Sequence, residues 1–305
     1  MVQIQTQSLC NGGCIMCPYP ETRKALPQGE MSWDLFINIV DDVATSSSVG
    51  SVTLMLQNEP LLDKRLPQAI AAVRSRRPDV MISLSTNGQL LTRALLTGLV
   101  EAGLTSLVFS VNALRPDTFL RIEPGLDYDT VMANLSDLAD DPPAGLSVCV
   151  KMLVVSKNEA EMASPDTFLG FVAPLLRSGI KVALDPISNR AGSLRAYRDL
   201  LVRPEGQSSH HKTYCDDLFT SLNILFNGDV IGCCADWERR GVLGNLAAMT
   251  IDEVWSGAEA QRRRALVLAR GYAGLDPCST CSQAANIINA ATARSLAEHD
   301  GGGPS

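Results

Sequence analysis

Cys10-Asn11-Gly12-Gly13-Cys14-Ile15-Met16-Cys17 decides how this 305-residue chain is read. The stretch sets three thiols at C-x3-C-x2-C, directly after an apolar and β-branched run at 2–8. Three thiolates on one short loop wrap one corner of an iron–sulfur cube and leave its fourth iron open. An open metal position chelates a small molecule, which separates a catalytic site from a closed structural one. A zinc site or an inert, reduced trio is the competing reading. Position favours the cluster, because the loop leaves the end of a first strand in a chain that goes on to alternate strands and helices.

The strand candidates are 2–8, 51–56, 80–85, 105–111, 146–154 and 180–185. Helical spacing fills the gaps at 32–44, 66–76, 92–102, 128–139 and 159–177. This order predicts an α/β fold with parallel strands and right-handed crossovers, a partial (β/α)6 TIM-like barrel. Active sites of such barrels sit at the C-terminal ends of the strands, where the thiol loop lies. After 187 the pattern changes to a loop or short helix at 188–207. A hairpin over 220–226 and 229–232 follows, joined at Asn227-Gly228, and then helices at 251–255 and 258–270.

Composition narrows the function classes. Net charge is −7, which argues against a binder of phosphate backbones, and no nucleic-acid partner is expected. The acidic balance is compatible with a polar, cationic small substrate. No apolar run reaches the length of a membrane span, and the first residues lack a signal peptide's basic and apolar segments. A cytoplasmic protein is expected, and there nine cysteines read as ligands or reactive thiols rather than disulfides.

The first half resembles the radical S-adenosylmethionine superfamily. Beyond the cysteines, Gln57-Asn58-Glu59-Pro60 stands where the family has Gly-Gly-Glu-Pro. Ser85-Thr86-Asn87-Gly88 matches its Thr-Asn-Gly turn, and Ser110-Val111-Asn112 its fourth strand end. Two departures stand out: both glycines before Glu59 are replaced, and Met16 occupies a position that is often aromatic, with Tyr19 nearby. The resemblance implies that Cys10, Cys14 and Cys17 hold a 4Fe–4S cluster whose open iron binds S-adenosylmethionine. One electron then releases a 5′-deoxyadenosyl radical that takes hydrogen from a substrate C–H. It carries Glu59 over as the contact to the methionine amino group, with Asn87, Ser110 and Asn112 as further cofactor contacts. A one-electron reductant such as flavodoxin or ferredoxin is implied.

Of the six remaining cysteines, Cys215, Cys233, Cys278 and Cys281 converge only if the chain folds back, the last two as C-x2-C. Spacing alone leaves structural zinc and a fully ligated iron–sulfur cluster both open. The segment resembles the SPASM/twitch appendage of the same superfamily. Cys215 and Gly228 stand at C-x12-G and Cys233 four residues further, and Cys234-Ala235-Asp236-Trp237, Gly244-Asn245-Leu246 and Ile251-Asp252-Glu253-Val254-Trp255 follow. That resemblance implies one auxiliary 4Fe–4S cluster on a small hairpin-plus-helix domain. Its cysteine separations are similar to those of aminocyclitol-oxidising members. The expected division is 1–200 barrel, 201–290 SPASM/twitch domain and 291–305 flexible tail.

Cys149 and Cys234 are left over. Cys234 abuts a cluster ligand, so it either returns a hydrogen atom to a substrate radical, which inverts a carbon centre, or packs as a small hydrophobe. Cys149, Ser147 and Lys151 share one strand face, which points Lys151 at cofactor or substrate. Asp185 ends the sixth strand, Asn189 and Arg190 follow it, and all three suit substrate or cofactor contacts, or loop capping. Asp236 and Trp237 are substrate candidates, with turn capping the alternative for Asp236. His210-His211 and Arg262-Arg263-Arg264 read as solvated surface.

Three reactions compete. The expected reaction is epimerisation of a sugar or aminocyclitol natural product of the aminoglycoside antibiotic type, with the hydrogen returned from the spare Cys234. The cysteine spacing favours two-electron dehydrogenation of a hydroxyl in a similar substrate. Peptide maturation is disfavoured, since such enzymes often carry a leader-binding domain ahead of the barrel and the first cysteine stands at position 10.

Overall fold

The computed structural model describes residues 1–202 and 215–282. His210-His211, the 203–214 connection and the expected tail lie outside the described residues. One mixed sheet organises everything. Its parallel strands are β1 (Val2–Ile4), β2 (Ser51–Thr53), β3 (Met81–Thr86), β4 (Ser106–Ser110), β5 (Ser147–Val154) and β6 (Lys181–Pro186). Then come β7 (Leu222–Ile224), β8 (Asp229–Ile231) and β9 (Val242–Asn245), in the order β6-β5-β4-β3-β2-β1-β7-β8-β9. β6 and β9 are its two edges, so the barrel is open.

The hairpin expected after residue 220 forms and extends the barrel sheet. β7 pairs parallel with β1, and β8 and β9 continue antiparallel. The free edge of β1 would otherwise leave a row of unpaired backbone groups. Gln5 N donates to the Ile224 carbonyl at 2.8 Å and Leu222 N to that of Met1 at 3.0 Å. The two halves of the chain thus share one sheet.

The helices are α1 (Tyr19–Thr22), α2 (Trp33–Thr45), α3 (Leu66–Arg76), α4 (Arg93–Glu101), α5 (Pro116–Ile122) and α6 (Tyr128–Asp140). After them come α7 (Glu159–Ala163), α8 (Pro165–Arg177), α9 (Tyr197–Leu200), α10 (Asp217–Thr220), α11 (Ile251–Trp255) and α12 (Ala258–Arg270). Ser32, Thr92, Asp127 and Thr250 cap α2, α4, α6 and α11 through their side chains. The helix expected over 159–177 is two helices, because Pro165 has no N–H to continue α7 and suits the first turn of α8.

The first strand is shorter than the apolar run suggested. Beyond Ile4 come Gln5, Thr6, Gln7 and Ser8, all buried; Gln5 still bonds β7, and Thr6 and Ser8 turn their backbone bonds to the 29–31 segment. Gln7 Nε2 donates to the Glu59 carbonyl at 2.7 Å, which aims the chain toward the thiol loop.

Ile4, Val52, Ile82, Leu84, Leu107, Phe109 and Val150 are buried on the helix-facing side of the sheet. The other face is polar: Thr53 and Ser83 hydroxyls bond at 2.7 Å, and Cys149 and Lys151 are half-buried between fully buried Val148, Val150 and Met152. Gly88, two residues past β3, has φ +78°, and a Cβ there would fall 2.0 Å from the Phe109 ring. The Thr-Asn-Gly turn therefore has a packing reason to end in glycine.

Candidate active site

The thiol loop leaves β1 and folds against residues 122–125. Gly13 N donates to the Pro124 carbonyl at 2.6 Å and Ile15 N to that of Ile122 at 3.0 Å. A Cβ at Gly13 would meet the Pro124 oxygen at 3.0 Å, so a side chain there would push the loop away from residue 124 by a few tenths of an ångström. Gly12 N donates to Cys10 Sγ at 3.4 Å, Cys17 N to the Cys14 carbonyl at 3.1 Å, and Cys10 N to Tyr19 Oη at 2.8 Å. Tyr19 thus anchors the loop, and Met16 is buried in the core. Burial pushes the Cys10 thiol up to about 12, helped by Glu59 and Cys17. It also raises Cys14 well above its ordinary value, with Glu123 and the other two thiols adding, and raises Cys17. Three half-buried sulfurs whose charge is disfavoured stay thiols on their own and become a thiolate set once a cationic metal is present. The donor set fits an iron–sulfur cluster.

Glu59 caps the turn at Pro60–Leu62 and is buried. Its carboxylate accepts from Leu61 N at 3.1 Å, Thr86 Oγ1 at 2.7 Å and Asn87 N at 2.9 Å. All three donors are neutral, and burial outweighs them, raising its pKa to about 7. A buried carboxylate without a charged partner suits a ligand ammonium. Asn87 Nδ2 reaches Asn11 Oδ1 at 2.8 Å and ties this turn to the thiol loop.

Asn112 takes a different place from the one expected. Its amide donates to Glu123 Oε1 at 2.8 Å and its Oδ1 accepts from Leu153 N at 2.8 Å, so its polar atoms serve the protein. Glu123 is a residue that sequence reading missed. It is buried, also raised to about 7 by burial, and stands 4.0 Å from Cys14 Sγ. Ser110 ends β4 opposite Lys151 on β5. Lys151 Nζ and Asp185 Oδ2 pair at 2.5 Å on the polar face, both about two-fifths exposed.

The loop after β6 joins the two thiol sites. Arg190, Ala191 and Gly192 are consecutive left-handed residues at φ +50°, +54° and +85°, a strained run of the kind that clusters at functional sites. Arg190 favours the charged form of Cys17 from one side. On the other, Asn189 N donates to Ser282 Oγ at 3.0 Å and its Oδ1 accepts from Ser282 N at 2.9 Å. Asn189 therefore holds the loop that carries Cys278 and Cys281 and does not present its amide to a cofactor.

Cys215, Cys233, Cys278 and Cys281 line one cavity. The Cys233 thiol donates to Asp217 Oδ2 at 3.3 Å, and Tyr272 Oη bonds the Cys215 carbonyl. Burial raises Cys215 to about 12 and Cys278 to about 11. The same reasoning as for the first loop applies: four convergent thiols fit a closed cluster. Asp217 is a second missed residue, since an acid two positions after a cysteine carries no signal of its own.

Cys234 packs its side chain against Leu56, Leu225 and Ile231. Asp236 is buried and caps its own turn, Oδ1 accepting from Arg240 N at 3.0 Å and Oδ2 from Gly241 N at 2.7 Å. Trp237 follows, half-buried, its N–H on the Ala235 carbonyl. Gln57, the replacement for the first family glycine, donates Nε2 to the carbonyls of Cys234 at 3.0 Å and Asp236 at 3.2 Å. It pins the auxiliary hairpin to the Glu59 turn. The arginine run is a correction: Arg262 is exposed, but Arg263 and Arg264 are buried, Arg264 with its guanidinium 3.8 Å over the Trp255 ring.

The Radical SAM superfamily profile matches residues 4–163, more than half of the chain. The chain belongs to the radical SAM superfamily. An iron–sulfur cluster-binding SPASM domain matches residues 215–282. The radical SAM enzyme therefore uses S-adenosylmethionine, a 4Fe–4S cluster that binds it, and an auxiliary iron–sulfur cluster.

Among known proteins, the chain is 21% identical over 283 residues to the S-adenosyl-L-methionine-dependent 2-deoxy-scyllo-inosamine dehydrogenase of Niallia circulans, covering 92% of each. It is 32% identical over 120 residues to a GTP 3′,8-cyclase of Desulforamulus reducens, covering 39% of this chain and 36% of that one. The crystal structure of BtrN in complex with AdoMet and 2-DOIA superimposes with a TM-score of 0.64 at 18% identity, covering 93% of this chain and 95% of that one. This radical SAM enzyme shares that fold throughout. No helix among the described residues is long and apolar enough to cross a membrane.

Proposed function

We propose that this radical SAM enzyme dehydrogenates a hydroxyl group of a polar aminocyclitol- or sugar-type small molecule to a ketone. The observation that carries this reading is the likeness to an aminocyclitol dehydrogenase over 92% of both chains, barrel and auxiliary segment together. When bound, the first cluster and S-adenosylmethionine supply the radical that takes the carbinol hydrogen atom, the hydroxyl proton leaves to solvent or a base, and the auxiliary cluster accepts the remaining electron.

The chain's own residues divide the work. Cys10, Cys14 and Cys17 hold the first cluster, and Glu59 receives the cofactor's ammonium in a dry pocket closed by Thr86 and Asn87. Cys215, Cys233, Cys278 and Cys281 hold the auxiliary cluster. Gln57 and Asn189 fix the distance between the two, which matters because electron and hydrogen transfer both need preset geometry. The polar face with Lys151 and Asp185, together with Arg190 and Trp237, is where a hydroxylated or amino-bearing substrate finds partners.

Epimerisation requires Cys234 to reach the substrate radical. Packing of Cys234 against Leu56, Leu225 and Ile231 favours the structural role instead. The test is the Cys234→Ala variant, supplied anaerobically with S-adenosylmethionine, dithionite and an amino-bearing cyclitol such as 2-deoxy-scyllo-inosamine. Ketone formation at an undiminished rate supports dehydrogenation; loss of product with continued 5′-deoxyadenosine release would contradict it.

A further inference from the structure

Arg263 is a cation buried beside the four auxiliary thiols. It lies on α12, is 8% exposed, and lines the same cavity as Cys215, Cys233, Cys278 and Cys281. Its guanidinium is held in one place from three sides. Nε donates to Glu259 Oε1 at 2.7 Å, Nη1 to the Asp276 carbonyl at 2.7 Å, and Nη2 to the Arg240 carbonyl at 3.3 Å. Gly241 gives it room: a Cβ there would fall 3.1 Å from Arg263 Nη1 and 3.2 Å from Asp236 Oδ2. The guanidinium and the Asp236 carboxylate thus both border the bare backbone of Gly241. Among the described residues, Glu259 pairs with this cation, Asp236 and Asp217 line its cavity, and the neighbouring Asp276 carboxylate is taken by Arg240.

We propose that Arg263 sets the reduction potential of the auxiliary cluster, making it a competent acceptor for the electron that leaves the substrate. This deepens the dehydrogenase reading and rests on it. The argument is electrostatic. A cube held by four thiolates is an anion, and accepting an electron makes it more so. In a buried, low-dielectric site that added charge is costly unless a cation stands nearby. Net charge and polar contacts around the sulfurs are what tune such potentials. Arginine is suited to the task because it stays protonated when buried. Glu259 opposes it, being the carboxylate that partly neutralises the guanidinium.

The experiment is a redox titration of the reconstituted holoenzyme followed by electron paramagnetic resonance. The first cluster, recognised by the change in its signal when S-adenosylmethionine is added, is the internal reference. Arg263→Met removes the charge and should move the auxiliary potential negative by at least the 59 mV that correspond to a tenfold change for one electron. Arg263→Lys should stay near the parent value. Glu259→Gln, on a partly exposed side chain, should move it positive, and the first cluster should not move in any variant. Opposite shifts for Arg263→Met and Glu259→Gln support the proposal. Unchanged potentials, shifts of the same sign, or lost auxiliary iron in Arg263→Met with an unmoved potential in Glu259→Gln overturn it and leave Arg263 a packing residue. The titration needs no turnover, so its failure leaves the dehydrogenase reading standing, whereas absence of ketone from the parent enzyme would remove that reading and not the potential shift.

Discussion

Glu59 concentrates the chemistry of the first site in one side chain. Its burial costs charge, three neutral donors offset part of that cost, and its pKa settles at about 7. The sign for stability follows. Below pH 4.5 the carboxyl is protonated in both folded and unfolded chains and costs nothing. Between 4.5 and about 7 the unfolded chain ionises first, so the cofactor-free protein loses stability as pH rises through that window. Glu59→Gln should flatten that part of the pH–stability curve in urea unfolding of the cofactor-free protein; an unchanged slope would contradict the assignment. The same variant should bind S-adenosylmethionine about 30-fold or more weakly, since deleting one partner of a buried charge pair costs about 2 kcal/mol or more. Equilibrium binding to the reconstituted enzyme measures it. Glu59 was legible in sequence because it sits in a local motif. Glu123 was not, because its thiol neighbour lies 109 positions away. Arg263 and Arg264 were misread because a charge run looks solvated until the cavity and the Trp255 ring that cover it are known.

At the scale of elements, the linking contacts come from short loops. Gln57 reaches 177 positions along the chain to hold the Cys234 carbonyl. Gln57→Glu keeps the shape but sets a carboxylate against two carbonyls. Backbone amide exchange over 233–241 should then speed up, while exchange in β3 and β4 stays as in the parent. Equal protection in both proteins would show that the pin is dispensable. Arg264→Ala removes the stacking on Trp255 and the bonds to the Leu218 and Trp255 carbonyls. A loss of about 2 kcal/mol in global stability is expected in urea unfolding, and a change below about 0.5 kcal/mol would refute the buried role. Helix and strand periodicity located most elements. It did not separate α7 from α8, where Pro165 had to outweigh continuous apolar spacing, and it missed α5 and β9, both too short to show a period. It also could not foresee that β7 would join β1, since an edge-to-edge pairing leaves no mark in either strand's own residues.

For the whole molecule, two thiol sites stand on one continuous sheet, bridged by Gln57 and by the strained 189–192 loop. Separate cluster occupancy follows from this layout. Cys281→Ala should lower iron from about eight atoms per chain toward about four, retain reductive cleavage of S-adenosylmethionine, and lose ketone formation, as read by iron analysis and product chromatography. Loss of cofactor cleavage as well would mean that the two sites do not assemble independently. The measurement closest to the central claim uses an aminocyclitol deuterated at the carbinol carbon, with the fully reconstituted enzyme under anaerobic conditions. The account predicts one deuterium in 5′-deoxyadenosine for each ketone formed, and no solvent hydrogen returned to that carbon. Recovery of an inverted alcohol carrying a solvent hydrogen at the same position would contradict it.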